Sequence, residues 1–143
     1  MSTIYLNLTE SSHAIAFTAQ APGGNHEYAH GDTVIFSHII TNIGGHYDPS
    51  NSTFTCPVDG TYMFAVNIVS GYGEHMSVYI VNEGIVIFRG VADDIEGAHN
   101  SGSSMALTAC SAHEQVWVGS NGSGTMYGGY HCHFSGFLLH PGV

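Results

Sequence analysis

The feature that most constrains the fold is a two-residue alternation that runs from Tyr62 to Ile68. Tyr62, Phe64, Val66 and Ile68 place a large apolar or aromatic side chain at every second position. Because neighbouring side chains of a strand point to opposite faces, this pattern predicts a strand with one buried face.

Shorter apolar runs, separated by Gly, Asn or Asp, continue along the chain, and none keeps a helical period. We predict strands at 14–18, 33–36, 54–56, 62–68, 76–81, 85–91, 105–110, 115–118 and 133–139. Segments 71–74, 93–102 and 120–129 are predicted as loops. The number of short strands favours an all-β chain folded as a two-sheet sandwich or jelly roll.

The charge balance limits the partners of such a chain. Eleven Asp and Glu face a single basic side chain, Arg89, and the formal net charge is −10. Phosphate backbones and anionic lipids are bound chiefly by Lys and Arg, so we expect neither nucleic acid nor a membrane as partner. Neutral glycans, metal cations and basic proteins remain.

The compartment is indicated only by short motifs. The chain has three cysteines, Cys56, Cys110 and Cys132, which allow at most one internal disulfide and leave an odd thiol. Sequons at 7–9, 51–53 and 121–123 favour a secreted, extracellular protein. Residues 1–9 lack the basic start and apolar core of a signal peptide, so we expect a removed signal or unusual export.

A family resemblance lies between Phe36 and Val66 and follows a fixed spacing. The globular head domain of complement component 1q has a signature that asks for Phe, an Asn or Asp, an aromatic, Phe, and then Gly-x-Tyr-x-Phe-x-aromatic. The matching residues are Phe36, Asn42, Tyr47, Phe54, Gly60, Tyr62 and Phe64. Val66 replaces the last aromatic. The C-terminal run from Phe134 to Leu139 is also similar to the family, so the chain resembles a complement component 1q head from end to end.

The resemblance implies a single domain, 1–143, in which residues 1–12 form a flexible segment. Its expected fold is a ten-stranded jelly roll like that of tumour necrosis factor, assembled as a homotrimer. The matched aromatics are expected in the core and at subunit interfaces. The implied function is pattern recognition in innate immunity, with lectin-like binding of neutral glycans or microbial surface polysaccharides by a stand-alone head. A receptor-binding signalling ligand is the alternative, and an enzyme is not expected.

A calcium site is predicted in the loop before the strand at 105–110. Asp93, Asp94, Glu96 and Asn100 form the densest group of oxygen donors, and Ca²⁺ takes six to eight oxygens. The resemblance also implies calcium, because some members of the family hold it near the trimer apex. A solvated acidic turn is the alternative interpretation of this loop.

A ligand site is predicted from aromatic residues in glycine-rich loops. Tyr72, Tyr127 and Tyr130 are flanked by Gly and can stack on sugar rings, and His99 lies in the neighbouring loop. Exposed tyrosines without any ligand are the alternative. No sequence pattern of a nucleophile elbow, zinc protease or phosphate loop occurs, so no catalytic residue is predicted.

Overall fold

The computed structural model describes residues 14–93 and 96–142. The predicted flexible segment 1–12 lies outside the described residues. Ten strands are present: β1 (Ala16–Tyr28), β2 (His38–Ile43), β3 (Tyr47–Asp48), β4 (Thr53–Thr55), β5 (Gly60–Val69), β6 (Met76–Asn82), β7 (Ile85–Ala92), β8 (Ser101–Cys110), β9 (Gln115–Ser120) and β10 (Gly124–Pro141). Within this part of the chain no helix is long and apolar enough to cross a membrane.

The strands form two five-stranded antiparallel sheets packed face to face. Sheet I has the order β2-β1-β10-β5-β8, and sheet II has the order β3-β4-β9-β6-β7. The non-consecutive neighbours mean that the chain crosses repeatedly between the sheets, as in a jelly roll. The predicted all-β fold class is therefore confirmed.

The core between the sheets is built mainly from aromatic rings. Phe17 stacks on Tyr47 at a centroid distance of 4.7 Å and meets Phe134 edge-on at 4.9 Å. Phe54 and Phe64 continue the cluster at 5.8 Å. All five rings are buried, which confirms that the matched signature aromatics there are core residues. Such pairs stabilise the sandwich beyond the burial of their area.

The segment 33–36 is not a strand, which corrects its prediction. Val34 and Phe36 are fully buried, as a strand-like alternation requires. The segment begins to pair with β9: Thr33 forms an isolated bridge with Gly119, and the amide of Val34 donates to the carbonyl of Val118 at 2.8 Å. The pairing then stops, because the amide of Ile35 donates to the hydroxyl of Tyr28 at 3.1 Å and that of Phe36 donates to Ser52 Oγ at 2.9 Å. The local sequence does not reveal these side-chain acceptors.

The segment 120–129 was expected as a loop, but β10 begins at Gly124 and includes Tyr127 and Tyr130. The first part of β10 pairs with the distal half of β1, through a register shift between Gln20 and Gly24. A glycine is required at Gly128, because a Cβ there would lie 1.9 Å from the carbonyl oxygen of Pro22. The glycines thus permit close strand approach rather than a loop.

One disulfide links Cys56, which follows β4, to Cys110 at the end of β8. It joins the two sheets at the end of the sandwich where β8 finishes. Cys132 on β10 is the free thiol and is fully buried.

Candidate functional site

Three side chains from separate segments meet at the end of the sandwich where β8 begins. His99 stacks on Tyr127 with a centroid distance of 4.4 Å, and Tyr72 meets the His99 ring edge-on at 5.5 Å. Tyr72 is 63% exposed and Tyr127 is 37% exposed. We call this group the apical cluster (Tyr72, His99 and Tyr127). It is an aromatic surface open to solvent, in contrast to the buried rings of the core.

The loop that carries His99 is held against the end of β5 by hydrogen bonds to Ser70. The His99 Nδ1 atom lies 2.8 Å from the carbonyl oxygen of Ser70. The amide of Ser70 donates to the carbonyl of Asn100 at 2.8 Å, and the amide of Asn100 donates to Ser70 Oγ at 3.1 Å. Because Ser70 is fully buried, these bonds fix the direction of the His99 ring, and the Nε2 edge of the ring faces away from Ser70.

The thiol of Cys132 supports the cluster from below. Its Sγ accepts a hydrogen bond from the amide of Val69 at 3.2 Å and donates to the carbonyl of Tyr127 at 3.1 Å. Burial raises the pKa of this thiol to about 11. The group is therefore a protonated, unreactive link between the ends of β5 and β10 at neutral pH.

Two depressions flank the cluster. One has a volume of about 270 Å³ and is lined by Val69, His99, Asn100, Ser101, Tyr127 and His131. The other has a volume of about 590 Å³, and there Tyr72 shares the lining with Glu27, Glu74 and Ile35. The first therefore places hydroxyl, amide and imidazole groups beside Tyr127, and the second places carboxylates beside Tyr72. This combination can hydrogen-bond sugar hydroxyls while an aromatic face covers a pyranose ring.

The structure brings three of the four predicted ligand residues together. Tyr130 is 86% exposed on β10. Among the aromatic contacts of the described residues it has none with the apical cluster, so it stands apart from it.

The predicted calcium loop is only partly described. Asp94 lies outside the described residues, and Asp93 pairs loosely with His75 at 3.7 Å. Both ends of the Asn100 amide take part in the turn: Nδ2 donates to the carbonyl of Asp93 at 3.1 Å, and Oδ1 accepts the amide of Ser101 at 3.0 Å. Glu96 lies in the same turn. In the described ranges no three His, Cys, Asp or Glu side chains are grouped to hold a metal, and calcium stays a prediction.

Comparison with known proteins agrees with this architecture. The family model described as C1q domain matches residues 16–139, which is nearly all of the chain. The chain belongs to the C1q domain family. This C1q domain is 29% identical over 109 residues to "Complement C1q tumor necrosis factor-related protein 3" of Homo sapiens and, at the same identity, to that of Mus musculus. The match takes in 74% of this chain and 44% of each relative, so the chain spans less than half of their length.

Solved structures show the same fold at low identity. The globular domain of the zebrafish complement 1qA protein has a TM-score of 0.74 at 16% identity, with 90% of this chain and 99% of that chain covered. The tumour necrosis factor Eiger of S. frugiperda has a TM-score of 0.73 at 12% identity, with 91% and 95% covered. The C1q domain therefore shares its jelly roll with both groups.

The sequence does not identify Ser70 and Cys132, the two residues that support the apical cluster. Ser70 is an ordinary serine after a strand, and its partner His99 is 29 positions away. The cysteine count leaves an odd thiol, but no sequence pattern identifies it as Cys132 or as the link beneath Tyr127. Only the pairing of β5 with β8 and β10 brings these segments together.

Proposed function

We propose that this C1q domain is an extracellular, non-catalytic recognition module of innate immunity that binds neutral glycans in a lectin-like manner. The observation that carries the proposal is the apical cluster. This aromatic stack faces solvent, is held by buried hydrogen bonds and is flanked by polar depressions. A bound sugar would cover the ring faces and form hydrogen bonds with the polar groups beside them.

The proposed assembly is a homotrimer that buries the outer face of sheet I. Alternate residues of its strands point away from the core, and they include Met105 and Leu107, which are 66% and 59% exposed. Phe137 pairs in register with Met63, which pairs in register with Leu107. A row of apolar side chains across five strands is costly in water, and burial against further copies removes that cost.

Light scattering coupled to gel filtration tests this assembly. We expect a mass near three times the 15.2 kDa of one chain at micromolar concentration. Leu107→Glu would place a carboxylate in the contact and should give a folded monomer. The matched control is Val58→Glu, which changes an apolar residue that is also exposed but precedes the sheet I strand β5. A mass of one chain for the unaltered protein would contradict the proposed trimer.

Neutral sugars are the proposed ligands because cations are scarce. With Arg89 as the single Lys or Arg of the chain, sialylated or sulfated sugars would meet few cationic partners at neutral pH. Three apical sites on one rigid trimer would gain about 10² to 10⁴ in avidity on a surface where the sugar spacing allows simultaneous contact. Binding should thus be weak for one site and strong on polysaccharides.

A glycan array with neutral and sialylated sugars, read at pH 7.5, tests the ligand class. We expect mannose- or galactose-type signals that fall when Tyr127→Leu removes the ring under His99. Tyr130→Leu, an exposed tyrosine on the same strand outside the apical cluster, tells whether the site extends along β10. Preference for sialic acid would show that the charge argument selects the wrong sugars.

The second candidate is a receptor-binding ligand of the tumour necrosis factor type. The 590 Å³ groove favours it, because Ile35 is 46% exposed there beside Tyr72 and could receive an anchor side chain of a protein partner. Absence of any sugar signal from an assembled, folded trimer would move the function to this class.

Calcium is proposed as a cation of the loop that contains Asp93, Asp94, Glu96 and Asn100. What supports it is the closeness in sequence of three carboxylates, which would repel one another if the loop brought them together without a cation. Ligand binding to the native state raises stability, so the melting temperature should fall in chelator and recover with Ca²⁺. Asp93→Asn should reduce that recovery. Equal melting with and without Ca²⁺ would retire the site.

A further inference from the structure

The outer face of sheet I, from β2 across the first half of β1 to β8, carries no fixed charge in the described part of the chain. Its members alternate with buried core residues on each strand: Ala16, Thr18, Gln20, Thr61, Met63, Ala65, Asn67, Ser103, Met105, Leu107, Ala109, His131, His133, Ser135, Phe137 and Leu139, with His38, Thr41 and Ile43 of β2 opposite β1. No carboxylate of the described residues is among them, although the chain has a formal net charge of −10. Copies with this charge repel one another, so a surface free of carboxylates is where they can meet.

The face divides into an apolar and a polar part. In the apolar row, Ile43, Ala16, Phe137, Met63 and Leu107 are neighbours in register across the sheet. Four residues along β10 lies the polar row, which reads His38, Gln20, His133, Asn67 and Ser103 from edge to edge. Histidine is thus the titratable side chain of a face that is otherwise neutral.

We propose that protonation of His133 and His38 opens the contact between copies, so that acidification dissociates the assembly. The inference rests on the homotrimer proposed above and names its regulation. Imidazole is the side chain that gains a proton between pH 8 and pH 5. A charge enclosed in a contact without a counter-ion loses solvation that nothing restores.

The groups that face these histidines cannot compensate a positive charge. Gln20 from β1, Asn67 from β5 and Ser103 from β8 are neutral, and Asn67 Oδ1 accepts a hydrogen bond from Ser103 Oγ at 2.5 Å. The other titratable side chain on this part of β10 is His131, which would add charge of the same sign. Glu27, the carboxylate of the sheet I strands, is paired with Thr125 in the distal half of β1.

The overall charge of the molecule predicts the opposite behaviour. Protonating the 11 histidines reduces the magnitude of the net charge of −10, so repulsion between whole copies weakens as the pH falls. General electrostatics therefore favour tighter association in acid. Dissociation in acid would have to come from a local group inside the contact. His133 and His38 of the polar row are the groups proposed here; His131 and His140, which pairs in register with Thr61, lie on the same face and are left unchanged in the test variants.

The test is sedimentation or light scattering of the unaltered protein at one micromolar concentration and fixed salt, at pH 7.5 and pH 5.5. Far-UV circular dichroism at both values reports that the chain stays folded. We expect a trimer at pH 7.5 and a folded, smaller species at pH 5.5. The double variant His38→Gln with His133→Gln should remain trimeric at pH 5.5. His133→Asn alone should lower the pH at which half of the trimer has dissociated, but by less than the double variant does.

The matched control is His113→Asn, which alters a histidine in the turn between β8 and β9, outside this face, and should dissociate like the unaltered protein. A trimer that keeps its mass at pH 5.5 overturns the pH switch and leaves the trimer intact. Equal dissociation of the glutamine variant and the unaltered protein overturns the assignment to the polar row. A monomer at both pH values overturns the proposed assembly, and the switch with it.

Discussion

The core and the apex both contain stacked aromatic rings, but the two clusters differ in their exposure to solvent. In the core, Phe17 and Tyr47 stack at 4.7 Å with neither ring more than 2% exposed. At the apex, His99 and Tyr127 stack at a similar 4.4 Å, but Tyr127 is 37% exposed. The same geometry stabilises the sandwich where water is excluded, and under the proposed function it offers a binding surface where water can be displaced. On that proposal, burial rather than ring geometry separates a fold residue from a ligand-binding one.

The comparison breaks if an apical ring matters to folding as much as a core ring does. Phe64→Ala removes a fully buried ring that contacts Phe54 and Phe134, and should cost about 3–5 kcal/mol of unfolding free energy. Tyr127→Ala removes a partly exposed ring and should cost less than about 1.5 kcal/mol. Chemical denaturation at equal protein concentration measures both. Similar losses for the two variants would contradict the distinction.

The disulfide gives the next largest effect, at the end of the sandwich opposite the apex. Cys56 and Cys110 are separated by 54 positions, and a loop of this size is expected to contribute about 2–4 kcal/mol by restricting the unfolded chain. Replacing both with Ala should lower the melting temperature without changing ligand binding. Reducing agent should destabilise the unaltered protein but not this double variant. Loss of binding in a folded double variant would show that the two ends are coupled.

A single added methyl group tests how tightly the core is packed. A Cβ at Gly136 would lie 2.7 Å from both the Phe17 and Phe64 rings, so Gly136→Ala should cost about 1–3 kcal/mol through overpacking. Gly23→Ala is the matched control, because nothing lies within 4 Å of a Cβ there. It should change stability by less than about 0.5 kcal/mol. Tolerance of both changes would mean that the core adapts as freely as the surface.

The all-β fold could be predicted because strands with one buried face carry apolar residues at every second position. The alternation at Tyr62, Phe64, Val66 and Ile68 became β5 with those four side chains buried. The signature spacing from Phe36 also marked residues that touch in the core. The prediction of a strand at 33–36 was wrong because the amides of Ile35 and Phe36 donate to the side chains of Tyr28 and Ser52, which leave no local signal in the sequence.

The site was predictable by residue type but not by arrangement. Tyr72 and Tyr127 were predicted from their glycine neighbours and His99 from its place in the adjacent loop, and their binding of a ligand stays a prediction. Their contact depends on β10 starting at Gly124 and on Ser70 holding the His99 loop, neither of which has a sequence pattern. Tyr130 has the same local sequence character as Tyr127 but stands apart, because contact is decided by the fold.

Controls aside, the smallest expected change in stability comes from His99→Gln, and this variant sharpens the comparison most. Glutamine can keep a hydrogen bond to the Ser70 carbonyl but loses the stack on Tyr127, so unfolding should cost within about 1 kcal/mol of the unaltered value. Neutral-glycan binding should weaken much more, since a loss of about 1.4 kcal/mol at one site is tenfold and three sites engage a polysaccharide together. Isothermal titration with a monovalent sugar and surface binding to a polysaccharide should therefore differ in the size of the loss. His113→Asn at the far end of β8 should change neither. If His99→Gln destabilises the domain by several kcal/mol and leaves sugar binding intact, His99 belongs to the fold, and the apex is an extension of the core.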